Sequence, residues 1–244
     1  MKSLSAPILF FMVLCGNVFA TTDFTAIDVA INAGQFAEAR AKLQTAVASA
    51  PSDFEALWRL ARLEVFEADA LTGDAAKEAG YEKSLKTAEL AIKANPQHAA
   101  GYLRKASAAG KIALFKGVLQ ARELVNTVKE SSEKAIALGN GGDDTQAWAH
   151  YVLGRAHLKL SATPAVIRRP IGLGWGSVAK AEEHLTKAVG LKKNSALIWL
   201  EVARLRKAQK NQSSFDEAMR QVNTLAALEP TDRQAKAEAK ELQF

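Results

Sequence analysis

The stretch Ala33–Pro51, AGQFAEARAKLQTAVASAP, constrains this chain more than any other. Gly34 makes a turn, Phe36 opens a helix, Ala39, Leu43 and Ala46 follow at helical spacing, and Pro51 ends it. The small residues Ala39 and Ala46 let a second helix approach closely, while Phe36 and Leu43 fill the space beside it. A pair of short helices built this way hides its apolar side only by leaning on a further pair, so the pattern predicts a stacked array. Apolar residues make up 48% of the chain but aromatics only 7%, which suits alanine-rich helix contacts better than a sheet core. No stretch alternates apolar and polar residues between turn signals, as a half-buried strand requires. The expected fold is all-α, an α-solenoid of helix pairs closed by a C-terminal capping helix.

Approximate copies of the unit cover residues 21–51, 54–96, 97–140, 145–193 and 196–230, with a cap over 232–244. Helices are expected over Asp23–Ala33, Phe36–Ala48 and Phe54 to near Leu71, with Asp53 as N-cap, and over Tyr81–Ala94. Long helices over 97–119 and 120–138 would turn near Lys116-Gly117. The loop Gly139–Asp144 is the strongest breaker in the chain, and Asp143-Asp144 reads there as a helix cap. A fourth pair begins at Thr145 or Ala147, and Leu153-Gly154 marks a close helix contact. The insertion Ser161–Gly176 interrupts that pair. Pro51, Pro96 and Pro230 fall at the ends of copies, where proline is tolerated.

Residues 1–20 read as a signal peptide: Lys2 is followed by a short apolar run, and Val18-Phe19-Ala20 places small residues where a signal peptidase reads them. Cleavage after Ala20 would deliver a periplasmic or secreted protein without cysteine. A lipid anchor through Cys15 is the lesser alternative, because Leu14 is bulky where a lipobox requires a small residue. No other apolar run is long enough for a membrane span in the mature chain. The formal charge of +6 is spread along the helices. It forms no basic stripe with stacking aromatics, so nucleic acid is not the expected partner.

The helix-pair spacing resembles a divergent tetratricopeptide repeat over nearly all of residues 21–244. The run Tyr102–Leu138, followed by His150–Arg155, resembles the regulator of microtubule dynamics family. The segment from Gly174-Trp175-Gly176 through Ala218 resembles bacterial exported repeat proteins, including accessory proteins of periplasmic solute transporters. The resemblance implies a helical scaffold that binds a protein or peptide and has no chemistry of its own.

Aligning Leu60-Ala61-Arg62, Leu153-Gly154-Arg155 and Val202-Ala203-Arg204 puts Arg62, Arg155 and Arg204 at one repeat position. With Lys159 and Lys207 a turn further on and Trp58 and Trp148 as anchors, they would line a basic inner face. Such a face would take an acidic segment or a C-terminal carboxylate. The alternative is that these arginines pair with acids on adjacent second helices. The insertion carries Arg168, Arg169 and Trp175 among exposed-looking apolar residues. It either packs back on the scaffold or meets a partner. His150 and His157 stand two turns apart, and His98 and His184 look isolated, so no metal site is expected. No nucleophile elbow, HExxH or Walker sequence occurs, and neither catalytic residues nor a cofactor are expected. A pocket protein for a small ligand, accessory to a transporter, is the second functional reading.

Overall fold

The computed structural model describes residues 22–116 and 120–244; the expected cleavage site at Ala20 and Cys15 lie outside them. Every regular element described is a helix. The first pair is α1 (Phe24–Ala33) and α2 (Phe36–Ser49), and the second is α3 (Phe54–Ala70) and α4 (Asp74–Ala94). The third is α5 (Ala99–Ala113) and α6 (Arg122–Leu138). In the fourth, α7 (Gly142–Ser161) packs on α9 (Val178–Leu191), with the single turn α8 (Ala165–Arg168) between them. The last pair is α10 (Ala196–Ala208) and α11 (Gln212–Thr224), followed by α12 (Pro230–Ala239).

Local chemistry sets these boundaries. Asp23, Asp53, Ser177, Ser195 and Asn211 each accept a backbone N–H of the helix they open, satisfying donors that lack intrahelical partners. Gly34 ends α1 in the left-handed conformation at φ 82°, which a residue with a Cβ adopts only at a cost. The core runs along the array. Ile27, Ile31, Leu43 and Leu63 fill its first section, and Leu103, Leu185, Ile198 and Leu205 fill a larger one over the later pairs. Each is essentially inaccessible to solvent. Burying one such side chain stabilises the fold by about 1.5–3 kcal/mol relative to leaving it exposed.

Several elements differ from the reading of the sequence. Helix α5 stops at Ala113, short of the expected turn near Lys116-Gly117, and α6 begins only at Arg122. Asp143 and Asp144 do not cap a helix; α7 already starts at Gly142, so both acids sit in its first turn, where the helix dipole favours negative charge. Pro230 does not close the fifth pair. Helix α11 ends at Thr224, and Pro230 is the first residue of α12, where its missing N–H costs nothing. The capping helix therefore spans 230–239 instead of 232–244.

Helix α12 covers the end of the array through Ala235 and Ala239, which pack against Ala196, Leu200 and Val222. It also reaches much further back. Glu229, its N-cap, pairs with Arg62 of α3 at 3.2 Å and with Lys192 at 2.7 Å. A contact between residues 167 positions apart brings the end of the chain onto the inner face of its second helix pair.

Candidate binding site on the inner face

The first helices of successive pairs, α3, α5 and α7, together with α6, α12 and the segment after α7, enclose a cavity of about 510 Å³. Val65, Phe66, Val125, Val128, Leu160 and Leu173 supply much of its apolar lining. Arg62, Arg104, Lys111, Lys116, Arg155 and Lys159 bring cations to the same walls. A second, more polar cavity of about 430 Å³ lies beside it and shares Arg62, Arg104 and Glu229. Its other cations are Arg59 and Lys192, and its acids are Asp28, Glu55, Asp144 and Glu229.

The three arginines aligned by the repeat are all engaged. Arg62 is 8% exposed; its Nη2 donates to Asn32 Oδ1 at 2.7 Å and to Glu229 Oε2 at 3.2 Å, and Asp28 lies 3.8 Å away. Arg155 donates to the Tyr151 hydroxyl at 2.7 Å, with Glu201 at 3.8 Å. Arg204 donates to Glu201 at 2.9 Å and to Glu238 of α12 at 2.5 Å. Burial opposes its charge, but the two carboxylates outweigh that and hold Arg204 above its ordinary value. Pairing with acids is thus what happens, yet the acids come from α1, α10 and α12, not from adjacent second helices. Arg62 and Arg155 reach the larger cavity; Arg204 stands behind Glu238 and does not.

The remaining expected residues divide. Trp148 is buried against Tyr151, edge to face at 5.3 Å, and lines the larger cavity. Trp58 lines the polar one, donating to Glu55 at 3.0 Å with the Arg59 guanidinium 4.2 Å from its ring. Lys159 reaches the larger cavity, and burial together with Arg155 lowers its pKa. Lys207 is directed elsewhere, to the carbonyl of Gln243 near the chain end.

The insertion packs back on the scaffold. Leu173 is 1% exposed, and Trp175 sets its edge against His157 at 4.9 Å and donates to Asn126 at 3.4 Å. Arg168 ties the segment to itself through the carbonyls of Thr163 and Gly174, at 3.1 and 2.7 Å. Arg169, Val166 and Ile167 stay exposed.

Two features go beyond the reading of the sequence. His184 is not isolated: its Nδ1 lies 2.9 Å from that of His150, and its ring is parallel to that of His157 at 5.8 Å. Nor is His98, which caps α5 by accepting from Ala100 N and packs on Phe54 at 4.6 Å. Burial and the neighbouring histidines push His184 down to about 4, and burial lowers His150 and His157 as well. The second feature is Arg104, which has no hydrogen bond or ion pair among the described residues. The repeat register brings it near the shared face without marking it. Arg62 and Arg204 each follow their helix N-cap, Asp53 and Ser195, by nine positions. In α5 that position, counted from His98, is Ser107, and Arg104 sits one turn earlier on the same face.

The family model described as "Regulator of microtubule dynamics protein 1-3" matches residues 23–243. No curated protein sequence matches the chain. Among solved structures, a thermophilic TPR protein of Thermus thermophilus superposes with a TM-score of 0.63 at 17% identity, covering 89% of this chain and 95% of its own. YrrB, a TPR protein with an unusual peptide-binding site, gives a TM-score of 0.44 at 11% identity over 90% of each chain. The first of these shows that the fold is the tetratricopeptide type.

Proposed function

The chain belongs to the regulator of microtubule dynamics protein 1-3 family, and we propose that it is an exported binding scaffold whose inner cavity receives an acidic, apolar segment of a protein partner. The observation that carries this reading is the cavity itself. Its walls are mostly apolar, and six cations reach it against three acids, Asp69, Glu229 and Glu238, each of which is already engaged by a cation. Arginine and lysine keep their protons at neutral pH, so they recognise anions without serving as proton shuttles. Export rests on the reading of residues 1–20, and the mass of the mature N-terminus tests it.

The cavity reading is tested by fluorescence anisotropy with a short acidic peptide ending in an apolar residue. Val125→Trp fills the cavity from α6. Binding to the native chain and its loss in the variant are the expected result; equal binding to both would overturn the reading. A second reading, a free small acidic ligand, is favoured by the volume of about 510 Å³, which lies in the range of small-molecule sites. Native mass spectrometry of the purified protein separates the two, because a resident small ligand adds mass.

A further inference from the structure

We infer that the insertion, residues 162–177 between α7 and α9, is a flap over the larger cavity that acid lifts, with His157 as its trigger. The inference rests on the binding reading above for what the flap admits; the movement itself needs no ligand. The segment is braced as one body. Arg168 donates to the carbonyls of Thr163 and Gly174, Leu173 N donates to the Arg168 carbonyl at 2.8 Å, and Gly172 N to that of Arg169 at 3.0 Å. Thr163 and Leu173 bring it to the wall of the larger cavity. Its ties to other helices, among the described residues, are weaker. They are the burial of Leu173, the long bond from the Trp175 indole to Asn126 of α6 at 3.4 Å, and the contact of Trp175 with His157 at 4.9 Å.

His157 sits beneath Trp175, buried in α7, and its Nδ1 has no hydrogen-bond partner. An imidazolium carries an N–H on both nitrogens, so a proton taken up here leaves one buried donor without an acceptor while the flap is down. The groups that face the ring come from three sides. From α9 there are Lys180 and His184, whose ring is parallel at 5.8 Å and whose Nδ1 meets that of His150. From α6 there are Glu133 and Lys129, paired with each other at 2.7 Å. The flap adds the backbone of Trp175. Burial is the largest influence and lowers the pKa of His157; the Trp175 backbone and Glu133 raise it, Lys129 and Lys180 lower it, and the net direction is down.

The flap gives way before the helices do. Ala181, Leu185 and Ala188 of α9 lie in the main core, and Leu185 presses on Gly154 of α7, so parting these helices would open that core. Lifting the flap uncovers mainly Leu173 and Trp175 and lets water reach His157. With the flap up the ring titrates near the ordinary value of about 6.5. Its pKa is lower with the flap down, so the preference for the closed form is complete above about pH 6.5 and is lost as the pH falls toward the lower value. The cavity is thus shut at neutral pH and opened by acid, within the range where histidine alone among unperturbed side chains changes charge.

The test is thiol labelling of the full chain carrying Cys15→Ser, with a single thiol introduced on the flap by Leu173→Cys or, as a control in the core, by Val222→Cys. Each rate is divided by that of the same chain unfolded in urea at the same pH. Between about pH 7 and about pH 5 the normalised rate at 173 is expected to rise more than about threefold. The ceiling is about 25-fold, for one histidine that titrates near 6.5 only when the flap is up. The rate at 222 should stay level. His157→Gln and His157→Phe are both expected to remove the rise; the second keeps an aromatic ring against Trp175.

No rise at 173, an equal rise at 222, or a rise that persists in both His157 variants would overturn the inference. If Leu173→Cys leaves the flap open already at about pH 7, the Trp175 indole N–H of the native chain decides by NMR. Its exchange with water should speed up in acid relative to the Trp199 indole, which the Lys193 carbonyl holds at 2.9 Å; an unchanged ratio overturns the flap. Neither measurement contains a ligand. If Val125→Trp and the native chain bind the acidic peptide equally, the cavity reading fails while an acid-dependent flap still stands; if labelling shows no rise but Val125→Trp loses the peptide, only the flap falls.

Discussion

Gly154 has a neighbour where any other residue would carry its Cβ. That atom would meet Leu185 Cγ at 2.9 Å and His184 Cβ at 3.2 Å, and Leu185 is wholly buried. Gly154→Ala gains about 1 kcal/mol of helix propensity but forces two packed helices apart, at a cost of about 1–3 kcal/mol. The net loss is expected to reach at most about 2 kcal/mol, read as a lower urea midpoint with an unchanged slope. The need for a small residue here is legible in the Leu153-Gly154 pair, because close approach is a property of one helix surface. Arg104 is not legible in the same way. Repeat register marks which side chains share a face, and it marks Arg62, Arg155 and Arg204. Whether an acid meets each of them depends on elements folded against that face, and the acid for Arg62 comes from α12.

At the scale of elements, the α7–α9 contact is the part that acid should attack. His150, His157 and His184 meet there, all with lowered pKa values, His184 at about 4. In the unfolded chain they titrate near the ordinary value of about 6.5. Between those values the unfolded state binds more protons, so the stabilisation from keeping these groups neutral is complete above about pH 6.5 and is lost as the pH falls toward about 4. The melting temperature is expected to drop between about pH 7 and about pH 5, and His184→Gln should make that drop smaller. An equal drop in the variant would assign the acid sensitivity elsewhere. Helical periodicity places His150 and His157 on one side of α7, but it does not say which residue of α9 lies opposite. That is why His184 looks solitary in the sequence. The same limit hides the true start of α7, where Asp143 and Asp144 look like a cap until the glycines before them are seen to begin the turn.

For the whole molecule, the stacked order of helix pairs can be read from the sequence because each pair packs on its neighbours in chain order. The cavity cannot, because α12 completes its wall from the far end of the chain. Glu229 is the clearest case: it is 6% exposed and lies between Arg62 and Lys192. Removing one member of such a buried cluster leaves charges without a counterpart, and Glu229→Ala is expected to cost about 3 kcal/mol, measurable by thermal or urea unfolding. Arrays held only by neighbouring contacts tend to fray from their ends, each repeat melting nearly on its own. A carboxylate that joins the second pair to the capping helix converts such a ladder into something closer to a ring, in which neither terminus melts alone. The native chain should therefore unfold in a single cooperative step seen equally by probes at both ends, and cutting that one tie should let the N-terminal helices exchange their amide hydrogens long before the rest.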